Sequence, residues 1–362
     1  MAAQPYGKAL VIGATGVIGR YIVDRLLQAP DWEVVGLSRR ALSPRARYTQ
    51  LSVDLLDGEA TGRALAQVTG ITHVFFAGFQ SAGTVAADYA RNIEVNLRLL
   101  QSGVEHTHQS QSSLKRVVLV TGTKYYGVHL GPYKTPAKED DPRHMPPNYY
   151  FDQIDWLLNF HQTTQQAGAQ WDWVELRPQT LCGFAPGTAM SIIPVIAVYA
   201  ALCKAQGLPL RFPGKPQAWQ SIYQVTSSEH FAEAALWAAT TPACSNQAYN
   251  ITNGDYFRWC NVWPKIAEVF DMPWDAPQHI NLTQHMAAMQ PLWGHLQQAH
   301  DLTPIAWDDL VSWPFGDYVF GTTWDVMSST VKARQHGFHA VVESETMLVD
   351  LLRQCRETRL VP

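Results

Sequence analysis

The sequence predicts an α/β fold, a doubly wound parallel sheet carrying a smaller, mainly helical lobe. Three observations lead to it. A buried apolar strand, a glycine-spaced turn and a helical pattern follow one another in Ala9-Leu-Val-Ile-Gly13-Ala-Thr-Gly16-Val-Ile-Gly19-Arg. Short apolar strands then alternate with helical segments through the first half, as a parallel sheet requires. Beyond Pro178 the alternation stops, and apolar, tryptophan-rich helical segments broken by prolines take over.

The elements are read in order. After the opening strand, Val17, Ile18, Ile22, Val23, Leu26 and Leu27 give the apolar face of a first helix. Trp32 to Leu37 is a second strand, Leu51 to Asp54 a third and Ile71 to Ala77 a fourth. Val85 to Gln109 reads as helix and Arg116 to Thr121 as a fifth strand. A loop with Gly and Pro runs to Pro147, and Asn148 is the N-cap of the next helix. Trp171 to Leu176 is a sixth strand. Residues 189 to 206 form an apolar helix, Thr226-Ser-Ser-Glu229 a capping box for a helix over Phe231 to Ala239, and Tyr249-Asn-Ile-Thr a returning strand. Residues 1–177, with a returning segment near 219–254, form the nucleotide-binding core; 178–218 and 255–362 form the lobe.

Composition narrows the function. With 362 residues, 46% hydrophobic and 16% charged at net charge −4, nothing favours nucleic acid or an anionic membrane as partner. No apolar run reaches the length of a membrane span, and a strand beginning by Ala9 leaves no room for a leader, so a cytoplasmic protein is expected. The five cysteines are scattered and read as reduced core residues. His106 and His108 sit in a polar stretch and read as solvated surface, so no metal is expected. A homodimer is compatible with the chain.

A strand, glycine turn and helix in this order place bare backbone beside a helix N-terminus, where a dinucleotide pyrophosphate binds. Gly13, Gly16 and the helix start at Val17 and Ile18 are therefore candidate cofactor contacts. The Gly-x-x-Gly-x-x-Gly spacing is the variant found in short-chain dehydrogenases and their extended relatives. Roughly twenty positions on, the second strand ends in Ser38-Arg39-Arg40, where an acidic residue would bind a ribose 2′-hydroxyl. Two guanidiniums beside a hydroxyl suit a 2′-phosphate instead, which favours NADP(H); solvent-facing arginines are the alternative. Asp54, with Leu55, either contacts the adenine or merely ends the strand.

No tyrosine in the chain has a lysine four residues later; Gln153 follows Tyr149 at that spacing and Ile154 follows Tyr150. The usual proton relay of short-chain dehydrogenases is absent. Tyr150, in the first turn after Asn148, and Lys124, just past the fifth strand, both fall at the carboxyl edge of the sheet and are the candidate catalytic pair. A phenol there can donate to a substrate oxygen gaining charge, and an ammonium can stabilise that charge. The alternatives are an interface aromatic and a solvated loop lysine.

The runs Thr121-Gly-Thr-Lys124-Tyr-Tyr, Leu130-Gly-Pro-Tyr133, Glu139-Asp-Asp-Pro-Arg143, Asn148-Tyr-Tyr-Phe-Asp-Gln-Ile-Asp155, Leu210-Arg-Phe-Pro-Gly214 and Trp313-Pro-Phe-Gly-Asp317 resemble the progesterone 5β-reductase and iridoid synthase (PRISE) family. The resemblance covers nearly the whole chain. It implies a Rossmann-like, extended short-chain dehydrogenase/reductase that reduces the carbon–carbon double bond of a small apolar enone with NADPH. It implies Lys124 and Tyr150 as catalytic residues. It also implies Thr15, Gly16, Val17, Arg39, Arg40, Asp54, Leu55, Ala77, Gly78 and Leu181 as cofactor contacts. Tyr133 and Phe315 match pocket positions, Phe315 being equally readable as core. Tyr149, Phe151, Ile154 and Val326-Met-Ser-Ser-Thr330 depart from the family pattern, several of them where substrate is expected to sit. Rival readings are a carbonyl reductase or nucleotide-sugar epimerase or dehydratase on the same scaffold, and a non-catalytic NADP-sensing regulator.

Overall fold

Seven short strands lie side by side, all parallel. The computed structural model describes residues 6–81 and 89–362. Strands β1 (Gly7–Ile12), β2 (Trp32–Ser38), β3 (Tyr48–Ser52), β4 (His73–Phe76), β5 (Arg116–Val120) and β6 (Asp172–Pro178) are joined by a returning strand, Gln247–Ile251. The order across the sheet is returning strand, β6, β5, β4, β1, β2, β3. The direction of winding reverses between β1 and β4, which opens a crevice at their carboxyl ends.

Both faces of the sheet are covered, so its strands read as continuous apolar runs. Alternation along β1 sends Ala9 and Val11 into one core, with Phe75, Val118 and Val174, under helix α1 (Gly19–Gln28) and the helix Ser228–Thr240. Leu10 and Ile12 enter the opposite core with Phe76, Val117 and Leu119, beneath α2 (Gly58–Ala66), α3 (Tyr89–Ser110) and α4 (Tyr149–Gln166). A third core gathers α5 (Ile192–Ala205), Phe212, Trp259, Trp263 and the C-terminal helices into the lobe. Ala333 and Phe338, although late in the chain, pack with the sheet core instead.

Some local readings are corrected. The third strand spans Tyr48–Ser52, not Leu51 to Asp54, because its polar Thr49 and Gln50 hide an edge strand paired on one side only. Asp54 lies beyond it, its carboxylate accepting from the Leu56 backbone N–H at 3.0 Å to close a turn. The cap expected at Thr226 falls on Ser227, which accepts from His230, while the Thr226 hydroxyl bonds the Gln179 and Ile251 carbonyls. His106 and His108 are half-buried on α3, His108 meeting Phe160 edge-on at 5.5 Å, so they are not solvated surface. The start of that helix read from Val85 lies outside the described residues up to Tyr89. All five cysteines are free, four of them buried. Among the described residues no cluster of His, Cys, Asp or Glu could hold a metal, and no helix is long and apolar enough to cross a membrane.

Candidate active site

At the carboxyl edge of the sheet the successive strand ends and the lobe enclose a cleft of about 650 Å³. Its floor is the β1–α1 turn, where Gly13 has φ +81° and an added Cβ would lie 2.7 Å from the Ala77 carbonyl oxygen. Gly19 is equally restricted: its Cβ would sit 2.2 Å from the Gly13 oxygen, so only glycine lets α1 start this close to the turn. At Gly16, by contrast, only the Gly13 oxygen lies near the Cβ direction, at 3.3 Å, and the residue lines the cleft. No side chain caps α1 and no acidic residue stands in its first turn. Uncapped N–H groups and a positive dipole end beside an open glycine face fit a pyrophosphate.

Gly13, Thr15, Gly16, Val17, Ile18, Ser38, Arg39, Arg40, Asp54, Leu55, Ala77, Gly78 and Leu181, singled out in the sequence, all line this one cleft. The Ser38 hydroxyl donates to the Arg40 carbonyl at 2.6 Å, turning the chain so that both arginines are exposed. Arg40 reaches the lobe, its Nη2 lying 3.4 Å from Thr188 Oγ1. Arg39 has no hydrogen-bond or ion-pair partner among the described residues. A pair of exposed guanidiniums at the strand end has the charge and the forked donors for a phosphate dianion.

Lys124 and Tyr150 come together on the same cleft. Lys124 lies in a single 3₁₀ turn, Thr123–Tyr126, whose two tyrosines are buried beneath it. The Arg177 guanidinium stacks 3.5 Å over the Tyr125 ring and donates to Tyr126 Oη at 2.9 Å and to Glu175 at 2.7 Å. Glu175 also accepts from Thr121 at 2.7 Å, so a buried network fixes the turn from below. The Lys124 side chain is exposed and lines the cleft, and the protein around it lowers its pKa by desolvation. Tyr150 stands in the first turn of α4, and its hydroxyl lies over Gly122: a Cβ there would be 3.0 Å away.

Other residues of the cleft escaped the sequence reading. Phe79 and Tyr149 (ring centroids 5.8 Å apart) continue in an aromatic row to Tyr150, 4.3 Å from Tyr149. Gln153, one turn beyond Tyr150, bonds the Asn96 carbonyl through Nε2 at 3.0 Å. From the lobe come Asp309 and Tyr318, beside Phe315, the pocket position singled out in the sequence. Tyr318 sits three positions after Phe315, on one helix face, and that spacing is the signal that could have found it. Tyr133 does not line the cleft: its loop folds under α4, its ring packs in the cluster of Tyr125, Tyr126, Ala137 and Phe151, and its hydroxyl reaches the Met327 carbonyl at 3.5 Å. Phe151 and Ile154 are buried in the core and Val326 in the lobe, so of the departures in the tyrosine motif only Tyr149 borders the cleft.

A model of the PRISE-like Rossmann-fold domain matches residues 9–325. The chain belongs to this family. Among curated relatives, a (S)-8-oxocitronellyl enol synthase of Nepeta cataria is 30% identical over 378 residues, covering 98% of this chain and 93% of its own. A 3-oxo-Δ(4,5)-steroid 5-β-reductase of Arabidopsis thaliana is 28% identical over 379 residues, with the same coverage of each chain. Among solved structures, a UDP-glucose 4-epimerase of Thermotoga maritima superposes with TM-score 0.67 at 15% identity, covering 97% of this chain and 99% of its own. At that identity the likeness is one of fold. This PRISE-family member sets its own Lys124 and Tyr150 where the edge of its seven-stranded sheet meets the lobe.

Proposed function

We propose that the protein is an NADPH-dependent reductase of the activated carbon–carbon double bond of small enones. One observation supports this above all: Lys124 and Tyr150, from separate segments, line the same cleft as the dinucleotide cradle. The names of the relatives, an enol synthase and a steroid 5-β-reductase, support the same class. Gly13, Gly16 and the α1 N-terminus would hold the pyrophosphate, and Arg39 and Arg40 the 2′-phosphate.

A reduced nicotinamide, when bound, supplies a hydride to the substrate β-carbon. The Tyr150 hydroxyl donates a hydrogen bond to the substrate carbonyl oxygen, and negative charge grows on that oxygen as the enolate forms. The Lys124 ammonium, in a cleft that screens charge poorly, stabilises the developing anion. Solvent then protonates the α-carbon. No side chain has to relay a proton to the oxygen, which is consistent with Gln153 and Ile154 standing where carbonyl reductases and epimerases of this fold carry lysine. The aromatic rings of Phe79, Tyr149 and Phe315 on the cleft wall suit a hydrocarbon substrate body.

The test is cofactor consumption with cyclic and acyclic enones, NADPH against NADH, with products identified. Saturated carbonyl products formed with NADPH support the reading. An allylic alcohol product would move the protein to the carbonyl reductases, and tight NADPH binding with no turnover on any enone would favour a sensor.

A further inference from the structure

Lys124 carries its charge under unusual conditions. Its side chain is open to the cleft it lines, and among the described residues it forms no ion pair with a carboxylate. The protein around it lowers its pKa by desolvation, so a neighbour that attracts the ammonium helps the lysine to keep its charge. The groups around it are few. From α4 comes the Tyr150 phenol. From the loop after the lysine's own turn comes His129, whose Nδ1 is buried without a partner and whose pKa is pushed down to about 4 by burial, then by Lys124 and His144. Asp309 lines the cleft from the lobe but makes no ion pair with the lysine. From helix Trp313–Phe320 comes Tyr318, with the Lys124 Nζ 5.5 Å from its ring centroid.

We propose that Tyr318 is the positioning residue of this site, holding the Lys124 ammonium charged and aimed into the cleft with the negative face of its ring. A ring face within about 6 Å of a cation attracts it, and the attraction is larger where water is excluded. Tyr318 is well placed for this task. Its ring is fixed on a helix that also carries Phe315, 6.2 Å away, and burial followed by the nearby Tyr150 keeps its own phenol protonated. The ring therefore offers a π face without adding a titrating anion beside the lysine. Lobe and core are coupled by this contact, because the lysine belongs to the β5 edge and the ring to the lobe. The inference builds on the enone-reductase reading but concerns a property of the protein alone.

The test reads the lysine directly. Pulse acetylation of the whole protein with acetic anhydride across a pH series, followed by mass spectrometry of the peptide holding Lys124, gives the midpoint at which its amine becomes reactive. Tyr318→Leu should lower that midpoint by about one pH unit, and Tyr318→Phe, which keeps the ring, should leave it at the wild-type value. Tyr318→Met carries the same expectation as Leu should the leucine variant fail to fold. An unmoved midpoint in the aliphatic variants overturns the proposal. So does an equal fall in the phenylalanine variant, which would assign the effect to the hydroxyl. Because labelling needs no substrate, failure here leaves the enone reading intact, and an inactive wild type would not affect this test.

Discussion

The side-chain amide of Asn148 donates to the Lys124 carbonyl oxygen at 2.7 Å, while its oxygen accepts from the Tyr150 backbone N–H at 3.1 Å. One buried residue thus caps α4 and ties the lysine turn to the tyrosine helix. Asn148→Ala removes a cap and leaves a carbonyl without its donor, so a loss of about 2–3 kcal/mol is expected. Asn148→Asp keeps the acceptor for Tyr150 but has no donor for Lys124. Thermal melts should place Asp between wild type and Ala, while steady-state turnover should fall roughly tenfold or more in both. Full turnover in the Asp variant would show that the bond to Lys124 does not set the geometry of the pair.

Tyr150→Phe removes the proposed donor and Lys124→Ala the proposed cation. Each should cost about 3–4 kcal/mol in the transition state, a hundredfold or more in rate, with NADPH affinity close to wild type by fluorescence titration. The pH profile carries a sign. Desolvation lowers the lysine pKa, and the proposed role requires its charged form. Activity should therefore decline as pH rises through a midpoint below the ordinary lysine range, and that limb should disappear in Lys124→Ala. Near-normal turnover in purified Tyr150→Phe would remove the tyrosine from the mechanism.

Local chemistry explains how much of this was legible in the chain. The β1 turn and the Asn148 cap are written in contiguous residues, because glycine at a close approach and asparagine at a helix start have few substitutes. Lys124 and Tyr150 were readable because each ends or begins an element at the carboxyl edge. Phe79 and Tyr318 carried weaker signals: Phe79 only follows the Ala77-Gly78 pair in sequence, and Tyr318 has only its three-residue spacing from Phe315, because its place in the cleft depends on how the lobe docks. Tyr133 is the converse: its hydroxyl reaches the Met327 carbonyl, nearly two hundred positions away, and its ring packs with the Tyr125 cluster away from the cleft lining. The edge strand β3 was misplaced because a strand paired on one side tolerates polar residues that blur its period.

Arg39 and Arg40 are expected to discriminate between the two nicotinamide dinucleotides. A charge-assisted bond to phosphate contributes about 1.5–3 kcal/mol, so Arg39→Ala or Arg40→Ala should raise the Kd for NADPH by roughly ten- to a hundredfold. NADH has no 2′-phosphate and its Kd should scarcely change. Arg40→Ala also loses the bond to Thr188, so a modest shared loss for both cofactors is expected there and not in Arg39→Ala. Equal weakening of NADPH and NADH in Arg39→Ala would mean that this arginine does not read the phosphate.

Acid stability should depend on His73, far from the cleft. The ring is 3% exposed, packs edge-on to Trp32 at 4.9 Å, and has its pKa lowered from 6.5 to about 4, first by burial and then by Arg116 and Lys115. Folding thus favours the neutral ring, and below about pH 6.5 protons bind the unfolded chain in preference. The contribution is complete above that pH and is lost progressively as pH falls toward 4, amounting to about 2 kcal/mol by pH 5. Urea unfolding of wild type and His73→Gln at pH 7 and pH 5 isolates it: the gap between the two proteins should shrink by about that amount at the lower pH. A gap that stays constant across the two conditions would show that the histidine already titrates normally in the folded protein, and that the packing of Trp32 and Arg116 does not exclude its charged form.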